Sequence, residues 1–198
     1  MSFLKKIFKN KIKTSLKEEE NISDTDSNIS LDKKFVKNFI HKGGKFLYCA
    51  NNEDIETNLI QILQENKWNN IISFEAELHD LLTKVKSAKT EKIILKSPFF
   101  TSCESLISHD GSIMFSSKQL KDKKLKDLPN SFIVFAKTSQ IVNDTREGIS
   151  GIRNRSEKNS PTIISSIKDF TIDKTDTDFM TYGNTNTKTL YLLLLEDL

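Results

Sequence analysis

A run of apolar side chains near the end of the sequence constrains the fold more than any other feature. Residues 189–195 read Thr-Leu-Tyr-Leu-Leu-Leu-Leu, with no alternation of polar and apolar positions. A strand covered on one face alternates, whereas a parallel strand covered on both faces does not. The run therefore predicts a central strand of a sheet that is buried on both sides. A helix is the competing interpretation, because leucine favours helices.

Short apolar runs and helical patterns alternate along the rest of the chain. Strands are predicted near residues 46–50, 71–74, 93–95, 112–116, 132–136 and 162–165. Helices are predicted from Ser30 to the glycine pair at 43–44, and over 55–63, 78–85, 100–107 and 141–157. Such alternation is typical of a mostly parallel sheet with both faces covered. We therefore expect an α/β domain with a mostly parallel sheet.

The chain divides by charge into three parts. Residues 1–17 contain six lysines and no acid, and residues 18–30 contain five acids and no base. The apolar residues of the first part recur at helical spacings: Phe3, Leu4, Ile7, Phe8, Ile12 and Leu16. We expect a flexible N-terminal arm, with a basic amphipathic segment over 1–17 and an acidic disordered linker over 18–30. The α/β domain then covers residues 31–198.

Two interpretations of the basic arm remain open. A basic amphipathic helix can lie on an anionic membrane surface, with its phenylalanines and isoleucines in the acyl boundary. A chain terminus also commonly stays disordered or packs on its own domain. The first interpretation predicts peripheral membrane contact through residues 1–17.

Composition excludes several classes of protein. Residues 31–198 hold 24 Lys and Arg against 22 Asp and Glu, which argues against a nucleic-acid-binding surface. The apolar runs fall far short of the roughly 20 residues of a membrane-spanning helix. Two cysteines, Cys49 and Cys103, cannot form a disulfide framework or ligate an iron–sulfur cluster by themselves. The sequence shows no secretory signal, so we expect a cytoplasmic protein, with the arm as its one route to the membrane periphery.

The first group of candidate ligand-binding residues forms a polar turn before a buried strand. The turn consists of His109, Asp110, Gly111 and Ser112. His109 can act as a base near neutral pH, Asp110 can orient it or bind a cation, and Ser112 and the Gly111 amide can donate to an oxyanion. An Asp-Gly pair before a strand is also ordinary turn chemistry. Both interpretations stay open, and no catalytic residue is assigned.

The second group lies in the loop at 182–188, immediately before the terminal apolar run. Gly183, Asn184 and Thr185 offer amide and hydroxyl groups, and Lys188 offers a positive charge, to an anionic small molecule. The loop is not a Walker motif, and a plain connection is the alternative. Three scattered histidines provide no metal-ligand spacing, so we expect no metal and no cofactor. We expect the two candidate loops to meet at one rim.

The arginines form a third group. Arg146, Arg153 and Arg155 lie within ten positions of one another in a predicted helix. The planar guanidinium binds carboxylate or phosphate through two bonds, so the group can mark an anion site. A solvated helix surface that pairs with Glu147 and Glu157 is the alternative.

Several passages together resemble the LUD domain of lactate-utilisation protein C and its relatives. They are the segment 105–117, the strand at 129–135 with Ser139-Gln-Ile-Val142 after it, and Tyr182-Gly183 before the terminal apolar run. The resemblance covers about residues 35–198. It implies a three-layer α/β/α domain, which is the fold of the superfamily of glucosamine-phosphate isomerase, ribose-phosphate isomerase and CoA transferases. It also implies association with iron–sulfur protein subunits that oxidise lactate to pyruvate.

These observations support one leading hypothesis and two alternatives. We expect a LUD-domain protein that acts as a non-redox binding or assembly subunit linked to the oxidation of lactate or another organic acid. One alternative is an enzyme that acts on a phosphorylated or CoA-linked small metabolite, with the two candidate loops as its pocket. The other is a membrane-surface adaptor that the basic arm localises.

Overall fold

The structure is a computed structural model that describes residues 30–85, 87–121, 123–155, 161, 163–170 and 188–198. Its helices are α1 Leu31–His41, α2 Asn52–Glu65, α3 His79–Lys84, α4 Ser117–Leu120 and α5 Thr145–Arg155. Its strands are β1 Lys45–Cys49, β2 Asn70–Ile72, β3 Ala88–Thr90, β4 Phe99–Ser102, β5 Ser105–Ile107, β6 Ile113–Ser116, β7 Ser131–Lys137, β8 Ile141–Val142, β9 Ile164–Ile167 and β10 Thr189–Leu195. Within the described ranges, none of the helices has the length and apolar character needed to cross a membrane.

Six parallel strands form a central sheet in the order β1-β10-β7-β4-β2-β3. The terminal strand β10 lies between β1 and β7, and Leu192 pairs with Phe46 on one side and Val134 on the other. Its residues 190–194 are all buried. The prediction of a doubly covered strand is confirmed, and the helical alternative is wrong, because both faces of β10 contact other layers.

Helices α2 and α3 cover one face of the central sheet. The apolar stripe of α2 consists of Ile55, Leu59, Ile62 and Leu63, and all four side chains are buried against this face. The helix begins after Asn51, whose side-chain oxygen accepts from the backbone N–H of Asp54 at 2.9 Å. The sequence predicts this stripe, because its apolar residues recur at helical spacing.

A second, four-stranded sheet and helix α1 cover the other face. The order of this sheet is β8-β5-β6-β9, with β5 and β6 forming an antiparallel hairpin. Phe35 and Phe39 of α1, together with Leu106 and Phe115 of the small sheet, share one core with Phe132 of the central sheet. Helix α5 packs on the outer side of the small sheet through Ile152. The protein therefore has the three-layer α/β fold that the sequence predicts, with a mostly parallel central sheet.

Two predicted elements are wrong. The apolar run at 93–95 is a crossover rather than a strand, and Leu95 is 73% exposed. The helix predicted over 100–107 is instead the end of β4 followed by β5. Both errors arise because short apolar runs carry no unique periodicity, so tertiary contacts decide between strand, helix and loop. The helix predicted over 141–157 begins only at Thr145, after the short strand β8.

Candidate functional site

The carboxyl ends of three neighbouring central strands place polar side chains at one edge of the sheet. Strands β10 and β7 end together, since Leu195 pairs with Lys137, and β4 ends beside them at Ser102, which pairs with Phe135. Ligands of open parallel sheets bind outside this carboxyl edge. The residues that directly follow these strands therefore lie where a ligand would bind.

Glu104, which follows β4, is the centre of a buried hydrogen-bond network. Its Oε1 accepts from the Ser116 hydroxyl at 2.7 Å and from the Gln119 amide at 3.2 Å. Its Oε2 lies 3.3 Å from the Arg155 guanidinium. The network joins the end of β4 to β6, α4 and the end of α5.

Burial raises the pKa of the Glu104 carboxyl, and this is the largest single effect on it. Hydrogen bonds from Ser116, Gln119 and Arg155, together with the charge of Arg155, outweigh burial and hold the pKa below its ordinary value. The Glu104 side chain is only 10% exposed, whereas that of Arg155 is 57% exposed. Arg155 can therefore offer N–H groups to an anion in solvent while Glu104 positions it.

A second carboxylate, Asp197, holds the turn that follows β7. It accepts from the Thr138 hydroxyl at 2.8 Å, from the Ser139 backbone N–H at 2.9 Å and from the Ser139 hydroxyl at 2.7 Å. These bonds and the charge of Lys137 lower the pKa of the Asp197 carboxyl, although desolvation opposes them as the largest single effect. In the same turn, the Gln140 amide donates to the Cys103 carbonyl at 2.6 Å. The ends of β10, β7 and β4 are thus tied to one another.

A third carboxylate, Glu75, continues the edge beyond β4. Its Oε1 accepts from the Thr101 hydroxyl and from the Ser102 backbone N–H, both at 2.7 Å, and its Oε2 accepts from the Ser102 hydroxyl. Glu75 follows β2 in the chain, so these bonds join the ends of β2 and β4. The edge is acidic, and each of these three carboxylates is held by donors from another element.

Both thiols lie close to this edge but are inert. Cys103 is buried, and desolvation, with the charges of Glu104 and Glu75, raises its pKa. Cys49 is also buried, and desolvation is the main cause that raises its pKa to about 11. A thiol is nucleophilic or metal-binding only as the thiolate. Both groups therefore stay protonated near neutral pH.

The predicted polar turn at 109–112 lies elsewhere, between β5 and β6 of the small sheet. Asp110 folds the turn on itself, because its Oδ1 accepts from the Ser112 backbone N–H at 3.0 Å and from the Ser112 hydroxyl at 2.6 Å. Lys168 lies 4.0 Å from the other carboxylate oxygen. Desolvation is the largest single effect on Asp110 and raises its pKa, but the Ser112 bonds and the charges of Lys42 and Lys168 outweigh it and hold the pKa below its ordinary value.

Helix α1 clamps this turn. The Asn38 amide donates to the carbonyls of Ser108 at 2.9 Å and His109 at 3.1 Å, and the His109 side chain is exposed. Gly111 has φ +70°, and a Cβ there would lie 2.6 Å from the backbone nitrogen of Phe39. The glycine is needed so that the hairpin can approach α1, which is a structural role. Whether the turn also binds a ligand stays a prediction.

Lys188, from the second predicted group, is 2% exposed at the start of β10. Its Nζ donates to the Leu128 carbonyl at 2.9 Å and lies 5.7 Å from the centre of the Phe132 ring. Desolvation lowers the pKa of this lysine, against the charge of Asp127. Gly183, Asn184 and Thr185 lie outside the described residues, so the predicted meeting of the two loops at one rim stays a prediction.

Among the residues that the structure describes, no three His, Cys, Asp or Glu side chains group as metal ligands do. The sequence analysis missed Glu75, Glu104, Gln140 and Asp197. The available signal was position, because Glu104 and Asp197 each lie two residues after a predicted or observed strand end. Their partners Ser116 and Thr138 come from other parts of the chain, and only the fold brings them within hydrogen-bond distance.

Comparison with known proteins agrees with this fold. A crystal structure of a DUF162 family protein from Deinococcus radiodurans superposes with a TM-score of 0.58 at 13% identity, and the match covers 85% of this chain and 99% of that one. A search of curated protein sequences found no match. The sequence model of the LUD domain matches residues 33–195. This match spans most of the chain, from α1 to the end of β10, and the protein therefore belongs to the LUD domain family.

Proposed function

We propose that this protein is a non-redox binding or assembly subunit linked to the oxidation of lactate or another organic acid. Membership of the LUD domain family supports a relation to lactate utilisation. The observation that carries the proposal is the carboxyl edge of the central sheet. There Glu75, Glu104 and Asp197 each accept hydrogen bonds that connect separate elements, which is how a rigid presenting surface is built.

The electron-transfer step of such a system belongs, in this proposal, to iron–sulfur protein subunits that bind this chain. Cys49 and Cys103 are both buried and both have raised pKa values. An iron–sulfur cluster is held by several thiolates, so these two thiols are unsuited to hold one. We propose that the protein works in the cytoplasm with those subunits.

Reconstitution tests this function. The iron–sulfur subunits of the host's lactate-oxidising system are purified with and without this chain, and lactate-dependent dye reduction is measured. We expect the chain to co-elute with them and to raise the rate, while the chain alone shows no iron absorbance and no turnover. Turnover of lactate by the chain alone, or no effect on the subunits, contradicts the proposal.

The exposed guanidinium of Arg155 favours a second candidate function. It lies at the carboxyl edge, 3.3 Å from Glu104, where an anionic group of a phosphorylated or CoA-linked metabolite can be bound. A thermal-shift screen tests this enzyme hypothesis, because ligand at a hundred times its Kd stabilises a protein by about 2.7 kcal/mol. We expect Arg155→Met to abolish such a shift. The matched control is Arg153→Met, on the same helix.

A further inference from the structure

An open groove of about 460 Å³ lies between the end of α2 and the segment after α3, on the face opposite the small sheet. Its apolar wall is made by Ile60, Leu63, Trp68 and Val85, and its polar lining by Gln64, Lys67, Asn69 and Ser87. Lys67 is exposed, so its charge at this end of the groove faces solvent. The Trp68 ring meets the Tyr191 ring edge-on at 6.1 Å, which holds the indole in place. Ile60 is 37% exposed. The groove therefore leaves an apolar surface open to a partner.

Acidic side chains continue this groove towards the carboxyl edge. Lys84 and Glu56 bridge α3 and α2 at 2.7 Å, and beyond the bridge lie the exposed Glu53, Glu77 and Asp80. Residues 52–85 contain seven acids and two lysines. The face thus pairs an apolar end with an acidic end, along the ridge that runs through Glu53, Glu56 and Ile60 of α2. We call this surface the α2–α3 face.

We propose that the α2–α3 face binds the basic segment at residues 1–17 of this same chain. That segment carries six lysines and no acid, and its apolar residues recur at helical spacing. An amphipathic helix recognises a groove by placing its apolar side chains in the pocket and its charges on a complementary rim. Leu4 and Phe8 are four positions apart and so lie on one side of such a helix, where they suit the apolar end beside Trp68. The lysines suit Glu53, Glu77 and Asp80.

Chain length permits this contact. Residues 18–30 join the basic segment to α1, and an extended chain spans about 3.3 Å per residue, so the linker can reach roughly 43 Å. Helix α1 lies on the opposite face of the central sheet, so the path runs round an edge of a domain that is about 40 Å across. The linker and the helical length of the segment itself, about 25 Å, together span such a path. Tethering also gives the segment a millimolar effective concentration at the groove, so weak individual contacts suffice. A membrane surface is the competing partner of the same segment.

Trp68 reports directly on this contact, because it is the one tryptophan in the sequence. The full-length chain is compared with the variant Lys5→Glu/Lys6→Glu/Lys9→Glu by emission wavelength and acrylamide quenching. We expect the variant to lower the docked-to-undocked ratio by about tenfold, since each exposed pair contributes a fraction of a kcal/mol. Its emission shifts to longer wavelength and its quenching rises.

The matched control reverses three exposed lysines on the other side of the molecule, Lys123→Glu/Lys124→Glu/Lys126→Glu. This control has the same net charge as the arm variant and leaves Trp68 protected. A charge swap completes the test: Glu53→Lys/Glu77→Lys/Asp80→Lys alone releases the arm, and combining it with the arm variant restores protection. Equal quenching of the arm variant and the wild type, or no recovery in the swap, overturns the proposal.

Vesicles that contain phosphatidylserine separate the two partners of the arm. If the arm docks on the α2–α3 face, reversing the acids of that face frees it, and the face variant binds vesicles more tightly than the wild type. The three new lysines also attract anionic lipid, so support for docking requires that the gain disappears when the arm variant is combined with the face variant. Equal vesicle binding by the wild type and the face variant, or a gain that persists in the combined variant, overturns the proposal.

Discussion

The two edges of the central sheet use polar side chains differently. At the carboxyl edge, Glu104 and Asp197 tie separate strands together, and Arg155 remains exposed beside them. Towards the other edge, Lys188 and the turn around Gly111 are packed against neighbouring elements. The comparison shows that polar groups at the carboxyl edge connect separate strands and leave one guanidinium exposed, whereas Lys188 and Gly111 make close packing contacts. Variants at the two places test this difference.

The largest expected effect is at Gly111. In Gly111→Ala, the new Cβ would lie 2.6 Å from the Phe39 nitrogen and 2.7 Å from the Asn38 carbonyl carbon, at φ +70°. A left-handed residue and overpacking together cost about 3 kcal/mol of unfolding free energy. Urea denaturation measures this loss.

The control is Gly151→Ala in α5, where the nearest atom is the flexible end of Arg155 at 3.2 Å. This helical position gains up to about 1 kcal/mol from alanine. Similar losses in the two alanine variants would contradict the structural role of Gly111.

The next effect is at the carboxyl edge. Glu104→Ala leaves the Ser116 hydroxyl and the Gln119 amide without their buried acceptor, which costs about 2 kcal/mol in unfolding free energy. Glu65→Ala, on the exposed surface of α2, stays within about 0.5 kcal/mol. Chemical denaturation at pH 7 compares them. A loss no larger than that of Glu65→Ala would show that the Glu104 network does not hold the edge.

The same carboxylate gives stability a dependence on pH. The Glu104 pKa is lower in the folded state than in the unfolded chain, so its stabilisation is complete above the unfolded value of about 4.3. It is lost as the pH falls through the folded pKa. We expect Glu104→Gln to flatten the wild-type decline of stability below pH 4.3. The same loss of stability in Glu104→Gln and the wild type at acid pH would contradict this prediction.

Lys188, near the other edge, produces a pH dependence of the same sign in an alkaline window. Desolvation lowers its pKa in the folded state, so the unfolded chain binds more protons between that pKa and about 10.4. Stability should therefore rise with pH across this window. Denaturation at several alkaline pH values measures the slope. Lys188→Met should abolish it, and a retained slope in that variant would assign it to another group.

The smallest effect is at Asp197, which lies in solvent at the carboxyl edge. Asp197→Ala removes an acceptor from the Ser139 N–H and the Thr138 hydroxyl, but water replaces it. We expect a loss of about 0.5 kcal/mol in unfolding free energy. Thermal unfolding of Asp197→Ala and Glu104→Ala compares the stability that each carboxylate contributes. A larger loss in Asp197→Ala than in Glu104→Ala would contradict this prediction.

Much of the fold could be predicted from the sequence, because the elements that bury most carry a clear pattern. The α2 stripe from Ile55 to Leu63 and the run in β10 are both buried as expected. The run at 93–95 was misassigned, because Leu95 is exposed in a crossover and no periodicity distinguishes it from a short strand. The candidate site was harder to predict, because the role of Glu104 depends on its contacts with Ser116 and Arg155, which are remote from it in sequence.

The sequence by itself determined the layered α/β class, the doubly buried terminal strand, and the separation of six lysines in residues 1–17 from five acids in residues 18–30. These properties depend on periodicity and local charge, which involve only residues that are close together in the sequence. Only the tertiary structure decided which polar groups lie at the carboxyl edge and that Gly111 serves close packing against α1. The physical reason is that hydrogen bonds and burial depend on distances between residues that are remote in sequence.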